Sequence, residues 1–220
     1  MSIAVSDMTL EELKLALAPA IADAAVFDGW TDAALVSASE AEGVDPDVAR
    51  LAYPGGAMDM IAAWIASVDV AMFAALPAER LAVMKVRERI RSLVQARLDA
   101  IEGREEALRR ALAIMAMPQN VARAGRLGWA SADAMWRLAG DVATDYNHYT
   151  KRAILASIYT ATLAVFVNDE NEGKADTRAF LDRRIDGVMR LEKAKAQFLR
   201  PDAERFSVTR FLGRLRYPAR

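Results

Sequence analysis

The chain has no cysteine and one histidine, His148. Without cysteine there is no disulfide framework and no thiolate metal site, and a lone histidine leaves too few ligands for a zinc or facial-triad iron centre. Glycine and proline are sparse, 11 and 7 of 220 residues. Few breaks therefore interrupt an alanine-rich chain, and alanine loses least on entering a helix. No stretch alternates apolar and polar residues for the length of a useful strand. No Ser-x-x-Lys, Gly-x-Ser-x-Gly or glycine-rich phosphate loop occurs, so the motif-borne hydrolase and nucleotide-binding classes lack their signatures. No segment reads as a membrane span. The longest uncharged apolar stretch, residues 153–167, falls short of the roughly 18–20 residues a span needs, and the apolar run from Met60 to Leu76 is interrupted by Asp69. The start, MSIAVSDMTLEELKLAL, lacks a basic segment followed by an apolar run, so no signal peptide is expected.

Apolar residues are plentiful, 54%, enough for a sizeable core. The net charge of −1 conceals an asymmetry. Residues 1–60 hold Lys14 and Arg50 against eleven acidic side chains, whereas residues 190–220 are strongly basic. One end repels polyanions and the other attracts them.

Helix signals follow in series. Thr9 and Glu12 form a capping box for a helix over about 10–27 that Gly29 ends, and Thr31 caps a second that runs to Gly43. Asp45-Pro46 opens a short third, broken by the YPGG at residues 53–56. A fourth, 58–76, is apolar nearly all round. Over residues 85–101, Val86, Ile90, Leu93, Val94, Leu98 and Ile101 make one stripe with arginine and glutamate opposite. A helix opens at Glu105 and Glu106 and runs to Met117, a less regular stretch covers 119–141, and helices follow at 150–167 and 175–198. The expected class is all-α, with nine or ten helices. The expected division is a helix-turn-helix-like subdomain at 1–60, a helical body at 61–198 and a basic amphipathic helix at 199–220.

Gly29, Trp30, Thr31, Ala41, Gly43, Val44, Tyr53 and Met58 resemble the pattern of TetR-family proteins, in which three short helices lead into a larger helical body. The resemblance implies a TetR-like fold and offers, as an alternative function, a ligand-responsive transcription regulator. The charges oppose that alternative, because helix-turn-helix affinity rests on cations facing phosphates. The recognition-helix segment offers only Arg50, flanked by Asp45 and Asp47.

A second resemblance is carried by residues 112–155. Pro118 and Asn120; Asp133, Met135 and Trp136; Ala139, Gly140 and Asp141; Thr144, Asp145, Asn147, Tyr149 and Thr150; and Lys151, Arg152 and Ala153 are similar to the hallmarks of the ubiquinone-biosynthesis Coq-nine family. Thr177 and the TRAFLDRRIDGV around it extend the likeness, with Arg178 where tryptophan is usual. His148 stands where tryptophan is frequent, and Arg137 where an aromatic is. The resemblance implies a homodimeric, lipid-binding accessory protein with no catalytic residues and no cofactor. Its ligand would be an isoprenoid, quinone or phospholipid, and its partner the di-iron demethoxyubiquinone hydroxylase. It would be cytoplasmic and peripherally associated with the inner membrane, and it would not bind nucleic acid.

The polar cluster around His148 then reads as structural. Asp141 and Asp145 are spaced as a carboxylate pair, but capping a helix that starts near Asp145 and pairing with Lys151 or Arg152 is the favoured reading. Met115, Leu127, Met135, Ile154, Leu155, Ile158, Tyr159, Leu163 and Phe166 are the expected lipid-pocket residues by resemblance. Met117, Pro118, Gln119 and Asn120, with an exposed Trp136 and Arg137 beside them, are the expected partner surface. Val208, Phe211, Leu212 and Leu215 share one side of a helical wheel flanked by Arg205, Arg210, Arg214 and Arg216, the pattern of a helix at an anionic lipid surface.

Overall fold

The computed structural model describes residues 8–142 and 146–198. Among them are ten α-helices, one 3₁₀ turn and no strand. In chain order the helices are α1 Leu10–Asp28, α2 Asp32–Ala41, α3 Pro46–Ala52, α4 Ala57–Ala75, α5 Ala78–Ala82, α6 Val86–Asp99, α7 Glu105–Met115, α8 Val121–Leu138, α9 Tyr146–Phe166 and α10 Ala175–Phe198. The chain forms two units, Met1–Asp182 and Arg183–Arg220. The second contains the continuation of α10; the contacts below all belong to the first.

The helix starts follow their capping chemistry. Thr9 Oγ1 accepts from Glu12 N–H at 3.3 Å while Glu12 accepts from Thr9 N–H at 2.8 Å, and Asp45 accepts from Asp47 N–H at 2.8 Å ahead of Pro46. Gly29 ends α1 with φ 69° and ψ −176°, a conformation essentially confined to glycine. This reversal delivers Trp30 inward: it is 4% exposed, its indole N–H donates to Ala107 O of α7 at 2.9 Å, and its ring lies 5.3 Å from Trp64 of α4. The Gly-Trp-Thr of the sequence is thus a stop, an anchor and a cap in consecutive residues. It ties the three N-terminal helices to the body.

α4 is central. By length and composition it is apolar enough to cross a bilayer, although Asp69 argued against a span in sequence. Here it packs against α1, α6, α7 and α8, with Ile61 and Met72 fully buried. The stripe is confirmed at Ile90, Leu93, Val94 and Leu98 of α6 and at Ile101 just beyond it, all buried, while Val86 is exposed. Each such large aliphatic side chain contributes about 1.5–3 kcal/mol when fully buried.

Two features differ from the sequence reading. The irregular stretch is one 18-residue helix, α8: Gly125 and Gly128 each cost it about 1 kcal/mol relative to alanine, but packing on α9 and α4 overrides that propensity. The short α5 was not foreseen, because five residues after Pro77 are too few to display a period.

Candidate binding cavity

The helices α4, α6, α7, α8 and α9 enclose a cavity of about 770 Å³, within the range of small-molecule sites. α4 contributes Ile61, Trp64, Ile65 and Val68; α7 contributes Leu108, Leu112 and Met115; α8 contributes Val121, Leu127 and Trp129; α9 contributes Tyr159 and Leu163. Gly125 and Gly128 also line it, and a Cβ built on either meets no atom within 4 Å. The wall formed by α8 is therefore thinned at two places by missing side chains. A second hollow, about 790 Å³ along the other side of α6, is bordered by Arg80, Glu88, Arg91, Asp99 and Arg178. Its charged rim suits an apolar ligand less well.

Of the pocket residues expected from sequence, Met115, Leu127, Tyr159 and Leu163 line the cavity. Met135, Leu155, Ile158 and Phe166 are buried core instead, and Ile154 is not among the lining residues. The reason is helical phase. α9 presents Ala156, Ser157, Thr160 and Ala164 to the cavity together with Tyr159 and Leu163, so Leu155, Ile158 and Phe166 lie to the side of that face. The α4 residues were missed although their helix is apolar all round, a pattern that announces burial but not what is buried against it.

One polar group interrupts the apolar wall. Arg97, 1% exposed, lines the cavity. Its guanidinium pairs with Asp69 of α4, donates to Ser131 Oγ of α8 at 3.1 Å and lies 5.0 Å from the centre of the Tyr159 ring. Its Nε–H has no hydrogen-bond partner among the described residues. Burial pushes the Asp69 carboxyl above its ordinary value although Arg97 pulls the other way. The sequence carried a signal for this pair. Arg97 falls at heptad spacing on the apolar stripe of α6, not opposite it, and Asp69 is the charge within α4's apolar run.

The cluster around His148 has a structural geometry. Arg152, 2% exposed, donates to Asp133 at 2.5 Å and to Asp141 at 3.0 Å, and Lys151 reaches Asp141 at 2.7 Å. Burial alone would raise the Asp141 carboxyl; the Lys151 and Arg152 hydrogen bonds outweigh it and hold it below its usual value. The pairing expected of Asp141 is therefore present, while Asp145 lies outside the described residues. His148 gives its carbonyl to Arg152 at 3.1 Å, and its ring meets Tyr149 edge-on at 5.1 Å. Among the described residues no group of histidine, aspartate and glutamate is placed to hold a metal ion.

The expected partner surface is not one patch. Met117, Pro118 and Gln119 are exposed at the α7–α8 turn, where Asn120 donates to Ile114 O at 2.9 Å. Trp136 lies at the other end of α8, roughly 24 Å away at 1.5 Å per residue. It is half-buried, its indole N–H donating to Lys151 O at 3.0 Å under the Lys151 ammonium. The indole is thus a brace between α8 and α9, which corrects the expectation of an exposed tryptophan beside the turn. Arg137 is exposed and pairs with Asp133 at 2.7 Å. The membrane-helix residues Arg205, Val208, Arg210, Phe211, Leu212, Arg214 and Leu215 lie outside the described residues.

Three N-terminal helices anchored by Trp30 to a larger helical body define an all-α, TetR-like fold. A TetR transcriptional regulator from Nitrosomonas europaea matches it with a TM-score of 0.65 and 20% identity, over 80% of this chain and 98% of that one. At the level of family, residues 121–192, the segment of α8, α9 and most of α10, match the COQ9 family model. The chain is 32% identical over 170 residues to the mitochondrial ubiquinone biosynthesis protein COQ9 of Rattus norvegicus, covering 74% of this chain and 54% of that one. It is 30% identical to the human protein over 170 residues, with 74% and 53% covered. The chain thus spans about half the length of these curated relatives.

Proposed function

We propose that this protein is a non-enzymatic accessory factor of ubiquinone biosynthesis that holds an isoprenoid or other lipid between α4, α8 and α9 and presents it to the demethoxyubiquinone hydroxylase. The observation that carries the reading is the apolar cavity of about 770 Å³ walled by α8 and α9, helices of the COQ9 segment. The names of the relatives supply the pathway. The hydroxylase docks on the exposed Met117–Asn120 turn, next to Met115, Ala116 and Val121 of the cavity wall. A partner seated there meets the ligand at the end of α7. The protein acts as a homodimer at the cytoplasmic face of the inner membrane, without nucleic acid and without a cofactor.

Deleting the gene tests the reading. The expected result is loss of ubiquinone with accumulation of its demethoxy precursor, reversed by the wild-type gene. Unchanged ubiquinone, or arrest at a different intermediate, contradicts it.

A further inference from the structure

We propose that the second hollow, along the other side of α6, is a separate binding site for a zwitterionic head that carries a phosphate and an ammonium, as phosphatidylethanolamine does. The proposal does not rest on what the cavity between α4, α8 and α9 holds.

Small side chains make the room. Ala71 and Ala75 of α4, and Ala96 and Ala100 at the end of α6, line the roughly 790 Å³ hollow, and each pair is one helical turn apart. Leu76, Met84 and Leu181 complete its apolar lining. Five charged side chains share the space, and only one is neutralised: Arg91 is held by Asp182 at 2.5 Å. Arg80 and Arg178 have no ion pair or hydrogen bond among the described residues. The Glu88 carboxylate accepts only the Lys85 N–H, at 3.1 Å, and that of Asp99 only the Gln95 amide, at 2.7 Å. Between them the Ser92 hydroxyl meets only the Met84 thioether, at 3.9 Å. Glu88, Ser92, Gln95 and Asp99 follow at i, i+4, i+7 and i+11 and so form one face of α6. Two cations and two carboxylates thus line one hollow without pairing with each other, and a ligand that bears both signs answers both. A guanidinium fork suits a phosphate, and a carboxylate suits an ammonium. A ligand with negative charge alone would meet Glu88 and Asp99 as well as the arginines, and such like-charge contacts reject it. Exposed ion pairs alone are worth little; the alanine and leucine lining adds burial of the acyl chain next to the head.

Titration calorimetry of the full chain tests this with dihexanoyl phosphatidylethanolamine and dihexanoyl phosphatidylglycerol, both below their micelle concentrations, and with free phosphoethanolamine. The zwitterionic lipid is expected to bind about fivefold or more tighter than the anionic one. Free phosphoethanolamine that binds as tightly as the lipid identifies the head alone as the ligand, and weaker binding identifies the lipid. Arg80→Ala/Arg178→Ala changes two exposed side chains and is expected to weaken phosphatidylethanolamine about tenfold or more. Glu88→Gln/Asp99→Asn keeps an acceptor for Lys85 N–H and for Gln95, and is expected to erase the preference over phosphatidylglycerol. A saturating decyl benzoquinone, the probe of the cavity between α4, α8 and α9, is expected to leave phosphatidylethanolamine binding unchanged; displacement places the lipid in that cavity and overturns the assignment. The assignment is also overturned by a wild type that binds phosphatidylglycerol as tightly, by an arginine variant of unchanged affinity, by a preference that survives in the carboxylate variant, or by no binding of any of the three probes.

Discussion

Individual side chains carry two kinds of work here, and charge on an apolar background marks both. Arg152 holds Asp133 and Asp141 at once. Arg152→Gln leaves two part-buried carboxylates without their cation and is expected to cost about 3 kcal/mol. Thermal denaturation should show a fall of roughly 6–12 °C for a chain of this size, and a fall under 2 °C would mean the network is dispensable. Asp169 is 5% exposed and accepts from Thr177 N–H and Oγ1 at 2.7 Å and from Asn171 N–H at 3.1 Å. Burial raises its carboxyl, but these hydrogen bonds win and bring it down to about 2. A depressed carboxylate stabilises the fold above its unfolded value, near 3.9, and that stability is lost as pH falls through about 2. Asp169→Asn should therefore lower the melting temperature at pH 6 and approach the wild type near pH 2. A difference that persists undiminished at low pH contradicts the account. At this scale the sequence was partly legible. The Asp141 pairings follow from spacing, whereas Arg97 looked like one more arginine of a solvated face until its phase on α6 was compared with that of Ile90 and Val94.

At the scale of elements, α8 decides what the cavity admits. Gly125 and Gly128 thin its wall without being required by the backbone, since neither has a positive φ. Gly125→Ala should stabilise by about 0.5–1 kcal/mol, readable as a rise of about 2–3 °C in melting temperature. Gly128→Trp should fill the cavity and abolish uptake of the decyl benzoquinone while keeping the helical circular dichroism; unchanged uptake would place the ligand elsewhere. The caps and stripes that define α1, α2, α3, α4, α6 and α7 can be read in the chain because each is a local pattern. α8 was not, because its two glycines and small residues weaken the local signal and its helicity comes from tertiary packing. For the same reason the cavity's wall was legible only in part. Which face of α4 or α9 meets empty space depends on helices distant in sequence, and composition alone does not fix it.

For the whole molecule, the TetR-like fold does not by itself fix the function. Arg50, the cation of the α2–α3 face, is held by Asp32 at 2.8 Å and Asp47 at 2.7 Å, so the charge that would meet a phosphate is already paired. Added to the acidity of the first 60 residues, this predicts no mobility shift with the upstream region of its own gene even at low salt, where phosphate contacts are strongest. A sharp, competitor-resistant shift would restore the regulator reading. The central claim, that the body of this fold is a container for lipid, is tested most directly by native mass spectrometry of freshly purified protein beside its Gly128→Trp variant. The account predicts an isoprenoid, quinone or phospholipid adduct on the wild type that is absent from the variant. A wild type with a clean apo mass that takes up no quinone analogue would contradict it.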